Sequence, residues 1–142
     1  TGQYNPRPSV QTIANAMDVG SPSNYERILD LYDYDEKRLR EDVKGYSCDD
    51  SQIKEAIREI YEKYSYVSDP HSAVGYLAAK KYNVKGFYLS TAHCAKFSDV
   101  IKDAMDYDVE LPAGLTKFLE KEKVFTPIDA TRDAVEDFVK GL

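Results

Sequence analysis

The clearest pattern in the chain is a helical stripe: Ile53, Ala56, Ile57, Ile60, Tyr61 and Tyr64 fall at i, i+3, i+4, i+7, i+8 and i+11. Asp49 with Gln52 three residues later forms a capping-box pattern just ahead of it. A second helix is predicted from Asp69-Pro70, an N-cap followed by Pro at the first helical position, through Ala73, Val74, Leu77 and Ala78 to Lys80 and Lys81, which complement the C-terminal dipole. Phe97, Val100, Ile101, Ala104 and Met105 mark a third amphipathic helix. Upstream, Ser23 and Glu26 make another capping-box pattern before Tyr25, Ile28, Leu29 and Tyr32, so a helix is expected to start near Asn24. A charged helix with Leu39 and Val43 follows, and Gly45 is its expected terminator. Two further helices are expected after Pro112 and after Thr131, and Thr1 to Pro8 reads as a loop.

Gly86-Phe87-Tyr88-Leu89-Ser90 departs from this period. It is short, aromatic and apolar on both faces, which predicts one clear strand buried on both sides and an α/β order of helix, strand, helix. Such a strand requires hydrogen-bonding neighbours on both edges, and no second convincing strand occurs in the chain. The expectation is a mainly helical piece of a larger α/β protein, a single incomplete domain over residues 1–142, whose remaining strands lie in other sequence. Taken alone, its bare strand edges favour self-association.

Composition narrows the possibilities. With 142 residues, 42% hydrophobic and 31% charged, the chain is long enough to bury a core. A net charge of −6 argues against nucleic acid, which is held by surplus Lys and Arg. No apolar run approaches the roughly 20 residues of a membrane helix, and no signal-peptide pattern opens the chain. A start at Thr1 instead of Met fits a processed or truncated chain. Cys48 and Cys94 belong to no CxxC or Cys/His cluster, so no metal site is expected, and two free thiols in a cytoplasmic protein is the simplest reading.

Candidate chemistry centres on Ser90-Thr91-Ala92-His93, at the C-terminal end of the expected strand, where open α/β sheets place their ligands. Thr91 reads equally as a ligand-binding hydroxyl or as the N-cap of the helix that follows. The wider sequence bears on this choice. Thr91-Ala92-His93-Cys94-Ala95-Lys96-Phe97 resembles the TAHPAKF motif of threonine synthases, and Asn15 to Asn24 resembles their NAMDVG-x-PSN segment. Asp69-Pro70-His71-Ser72-Ala73-Val74-Gly75 is similar to the family's DPH-x-AVG helix start, and Leu111-Pro112 sits where the family has a similar Leu-Pro. Order and spacing agree over nearly the whole chain, which makes the motifs together far more specific than any one of them.

The resemblance implies the C-terminal portion of a pyridoxal-phosphate enzyme of fold type II, acting on O-phosphohomoserine and water to give threonine and phosphate. It also implies that Thr91 is the cofactor-binding residue, its hydroxyl hydrogen-bonding the pyridine nitrogen as a gentler electronic partner than a carboxylate. In the family the cofactor-bonding lysine and the Gly-rich phosphate loop lie upstream of these motifs. The seven glycines here, at 2, 20, 45, 75, 86, 114 and 141, form no such loop. No catalytic residue is therefore expected in this chain, and taken alone it is expected to be inactive.

Other residues have plainer readings beside the functional ones. Lys96 reads as a packing or surface residue of the first helical turn, and His93 and His71 as residues that complete their turns or line the pocket. Cys94 stands where the family usually has Pro, which loosens the turn, and a thiol at a helix start is a candidate for a lowered pKa. Asn15, Met17 and Asp18 read as turn formers in a loop that the resemblance places near the active-site cleft. Two alternatives remain open at the level of sequence: a non-catalytic helical binding domain, and a related amino-acid phospholyase.

Overall fold

The computed structural model describes residues 4–15 and 18–142, so Ala16 and Met17 of the expected loop lie outside the described residues. The chain divides into two compact units, Thr1–Glu110 and Leu111–Leu142. In the first unit the helices are α1 (Tyr25–Leu31), α2 (Glu36–Asp42), α3 (Asp50–Tyr64), α4 (Pro70–Lys81) and α5 (Ser98–Met105), the last preceded by a 3-10 turn over Cys94–Phe97. The second unit holds α6 (Ala113–Leu119) and α7 (Arg132–Lys140). None of these helices is long and apolar enough to cross a membrane.

The stripe of α3 is the centre of the core. Ile53, Ala56, Ile57 and Ile60 are buried and meet Ala73 from α4 and Phe97, Val100 and Ala104 from the 3-10 turn and α5. Ile13, Ala14, Cys48, Val74, Tyr76 and Leu77 pack against this cluster and close its margins. Burying a whole Ile, Leu or Phe side chain is worth about 1.5–3 kcal/mol, so this cluster holds the three helices together. Glu59 of α3 adds a polar clamp on α4: it accepts from Lys80 Nζ at 2.7 Å, Tyr76 Oη at 3.0 Å and, within α3, Lys63 Nζ at 2.5 Å. The bonds from Lys63 and Lys80 hold its carboxyl down at about 2.

Several helix ends form as their residues dictate. The Asp49–Gln52 capping box is complete, with Gln52 N donating to Asp49 Oδ1 at 2.8 Å and Asp49 N to Gln52 Oε1 at 3.0 Å. Asp69 caps α4 with Pro70 at the first helical position. Thr131 Oγ1 accepts from Ala134 N at 3.3 Å and starts α7. At α1 the helix begins at Tyr25 as expected, but Asn24 is its N-cap without a side-chain bond, so the Ser23–Glu26 box is not made. Asp35, accepting from Lys37 N and Arg38 N, caps α2, and Val43 in extended conformation ends that helix two residues before Gly45.

The expected strand is the main correction. Among the described residues no β-strand occurs, and Gly86 to Ser90 is irregular and exposed, with Phe87 at 88% and Leu89 at 77% exposure. The architecture is therefore mainly helical, not an α/β unit with one buried strand. The cause is the absence of a ladder partner among the described residues: without neighbouring N–H and C=O groups, a doubly apolar segment has nothing to pair with. Alternation nevertheless survives in part. Tyr88 lies on α4 so closely that a Cβ at Gly75 would sit 3.2 Å from its ring, and Ser90 Oγ lies 2.9 Å from Ser72 Oγ. Phe87 and Leu89, the intervening residues, are the ones left to solvent.

Candidate functional site

Three loops converge at the N-terminal end of α4. The first is the segment from Arg7 to Gly20, folded back on itself by Arg7 N donating to Gly20 O at 3.3 Å and Gly20 N donating to Ser9 Oγ at 3.0 Å. A Cβ at Gly20 would sit 1.9 Å from the Arg7 carbonyl oxygen, so this approach requires glycine. Asp18 clasps the same loop from inside, accepting from Thr12 Oγ1 at 2.7 Å and Thr12 N at 2.8 Å, six residues upstream, where a local turn bond was expected. Ile13 N then donates to Asp50 Oδ1 at 3.2 Å and ties the loop to the start of α3.

The second loop is Ser68-Asp69, both residues buried. The carboxylate of Asp69 accepts from His71 N at 2.9 Å, Ser72 N at 3.3 Å and the Ser72 hydroxyl, and it faces His71 Nδ1 at 3.3 Å. His71 is also 3.0 Å from the Asn15 carbonyl through Nε2, and its ring lies tilted against Phe97 with centroids 5.0 Å apart. His71 thus joins the first loop to the second.

The third is Ser90 to Cys94. Together with Tyr66 and Val67 it lines a depression of about 470 Å³. Thr91 is exposed and carries no hydrogen bond among the described residues. It is not the cap of the next helix: His93 is, with Nδ1 accepting from Ala95 N at 3.1 Å. That bond makes Nδ1 the acceptor and puts any proton of the neutral ring on Nε2. Lys96 is exposed, in keeping with a surface role. Burial pushes the Cys94 thiol up, so the helix start does not activate it, and burial with the Asp49 and Asp50 carboxylates pushes Cys48 up as well. Both cysteines are free. No group of three or more His, Cys, Asp or Glu residues able to hold a metal occurs among the described residues.

A second, larger depression of about 720 Å³ lies under the first loop, lined by residues including Arg7, Thr12, Asp18, Cys48 and His71. Sequence reasoning did not anticipate it, since loop residues far apart in the chain line it together. The same is true of the serine pair: nothing in the spacing of Ser72 and Ser90 announces that their hydroxyls meet.

The mainly helical fold superposes on about a third of each of two threonine synthases of known structure, one of them bound to pyridoxal phosphate. The family model described as threonine synthase, C-terminal, matches residues 72–139, and this match, the relatives and the solved structures together support a threonine synthase C-terminal portion. Threonine synthase of Buchnera aphidicola subsp. Acyrthosiphon pisum is 37% identical over 117 residues, covering 80% of this chain and 27% of the relative. That of Serratia marcescens is 30% identical over 145 aligned positions, covering 100% of this chain and 33% of the relative. The crystal structure of threonine synthase from Escherichia coli superposes with a TM-score of 0.78 at 30% identity, over 99% of this chain and 33% of that one. Pyridoxal-phosphate-bound threonine synthase from Brucella melitensis gives 0.68 at 26% identity, over 97% and 36%. The chain spans about a quarter to a third of the length of the relatives it matches.

Proposed function

We propose that this chain forms one wall of the cofactor pocket of a threonine synthase, a carbon-oxygen lyase that converts O-phosphohomoserine and water to threonine and phosphate. The observation that carries the proposal is Thr91: an exposed hydroxyl without a protein partner, released from capping by His93, at a depression next to the point where the three family motifs meet. Its hydroxyl donates to the pyridine nitrogen of pyridoxal phosphate. A neutral donor does not favour a charged pyridinium, and so moderates how strongly the ring draws electrons. The cofactor supplies the electron sink that stabilises a substrate carbanion. The residues of the third loop suit that ring, offering one free hydroxyl beside Tyr66, Val67 and Ala92 and no carboxylate. In this reading the cofactor-bonding lysine and the Gly-rich phosphate loop come from sequence upstream, and the enzyme works in the cytoplasm, where two unpaired cysteines are the norm.

The exposed segment from Gly86 to Ser90 takes its place in the same reading as a strand of the complete enzyme's sheet. Separated from that sheet, its unpaired backbone favours association between copies.

The test is Thr91→Val in the full-length enzyme, an isosteric change that removes only the donor. Turnover is expected to fall about tenfold or more, the equivalent of about 1.4 kcal/mol, with a shifted cofactor absorbance band. Unchanged turnover with an unchanged spectrum would overturn the assignment.

A further inference from the structure

Asp69 is more than its capping role requires. A helix N-cap needs one acceptor oxygen, which Ser, Thr or Asn supplies as well as Asp, and placing a carboxylate in the interior is costly. Here the side chain is 0% exposed. Oδ1 does all the capping, accepting from His71 N and Ser72 N. Oδ2 caps nothing, and its partner is the Ser72 hydroxyl. Ser72, itself buried, lies 2.9 Å from Ser90 Oγ. A hydroxyl has one proton, and that of Ser72 is committed to Asp69, so the Ser90 hydroxyl must donate to Ser72. The result is a directed chain, Ser90 to Ser72 to Asp69, that starts next in sequence to Thr91. On the other side Oδ1 faces His71 Nδ1 at 3.3 Å, and His71 Nε2 reaches the Asn15 carbonyl at 3.0 Å.

We propose that Asp69 is a positioning residue whose second carboxylate oxygen, the one not used in capping, holds the Ser90-Thr91 turn in fixed register through Ser72. The α4 start and the Ser90-Thr91 turn are then one hydrogen-bonded unit with the buried Asp69 side chain at its centre. The α4 N-terminus stabilises that carboxylate, and the backbone N–H groups leave its second oxygen free to reach outward. On the N-terminal side of the turn Phe87 and Leu89 face solvent and Tyr88 against Gly75 is the nearest anchor before Ser90, whereas on the C-terminal side Ala92 packs on the core, so the Ser72 bond is what holds the Ser90 end. The bearing of this unit on catalysis rests on the reading of Thr91 as the cofactor's partner, but the tether itself does not.

The experiment is 15N relaxation on the 142-residue chain and three variants. Ser72→Ala cuts the tether while leaving both capping bonds to Asp69. It is expected to lower the backbone order parameters of Ser90 and Thr91 from rigid values near about 0.85 to below about 0.6, with α4 unchanged. Asp69→Ser keeps a capping oxygen and loses the second one, and is expected to loosen the same two residues. Asp69→Asn is the rescue: its amide donates to Ser72, whose proton then turns to Ser90, so the chain reverses but stays connected and the order is retained. Rigid, unshifted Ser90 and Thr91 in Ser72→Ala overturn the proposal, even where Asp69→Ser fails to fold. A parallel Thr91→Val measurement on the full-length enzyme separates the two claims. Loosening in Ser72→Ala beside an unchanged cofactor spectrum in Thr91→Val sustains the tether and removes the cofactor reading.

Discussion

Ile57 and Ile101 are 0% exposed, whereas Phe87 and Leu89, comparably apolar and in the same unit, are 88% and 77% exposed. The difference lies in where each finds its partners. A helix satisfies its backbone within itself, so α3, α4 and α5 need only lay their apolar stripes together, and all three stripes are in this chain. An extended segment must borrow its hydrogen bonds from neighbours, and among the described residues none are offered. Within their own unit the shorter helices α6 and α7 form as well but carry no buried residue, unlike α3. Burial here follows the presence of a partner, not the apolarity of the residue.

Substitution can break that contrast directly. Ile57→Ala and Ile101→Ala should each cost about 2–5 kcal/mol, because each opens a cavity around a fully buried side chain. Phe87→Ala and Leu89→Ala in the 142-residue chain should stay within about 0.5 kcal/mol. Urea unfolding of the four variants checks this, and a large cost at Leu89 would show that the segment is packed. A smaller effect is expected at Glu59, whose carboxyl is held at about 2 against an ordinary 4.5 by Lys63 and Lys80. A depressed acid contributes stability that is present above its unfolded value and lost as pH falls through the folded one. Stability should therefore decline between about pH 5 and pH 2, and Glu59→Gln should flatten that decline while costing about 1 kcal/mol at neutral pH. Smallest is Ser65→Gly: Ser65 ends α3 with φ of 52°, a left-handed conformation that glycine adopts without penalty, so the change should stabilise by up to about 1 kcal/mol. Thermal unfolding would detect it.

Legibility followed the same physical division. The stripe of α3, its Asp49–Gln52 box and the Asp69-Pro70 start of α4 are local signals, and all three formed as the residues dictate. Ser23 failed as a cap and Asp35 succeeded, because capping depends on the approach of the chain as well as on residue type. Gly86 to Ser90 misled because a continuous apolar run specifies a buried strand only in company. At the site, motif order brought Thr91, His71 and the Asn15 loop into consideration. The sharing of duties there was not legible: His93 takes the cap for which Thr91 was an equal candidate, and Asp69 is linked through the Ser72 hydroxyl of its own first turn to Ser90 outside the helix. Those assignments depend on tertiary placement, which no local spacing encodes.

In the proposed reading this chain supplies a wall of the pocket and a partner for the pyridine nitrogen, while the lysine that bonds the cofactor comes from elsewhere. The direct test is to incubate the 142-residue chain with pyridoxal phosphate, reduce with borohydride and map the modified lysines by mass spectrometry. Sparse, substoichiometric labelling spread over exposed lysines is the expected result. A stoichiometric adduct at one lysine, with its own visible absorbance band, would show that the chain carries a cofactor lysine of its own and overturn the proposed reading.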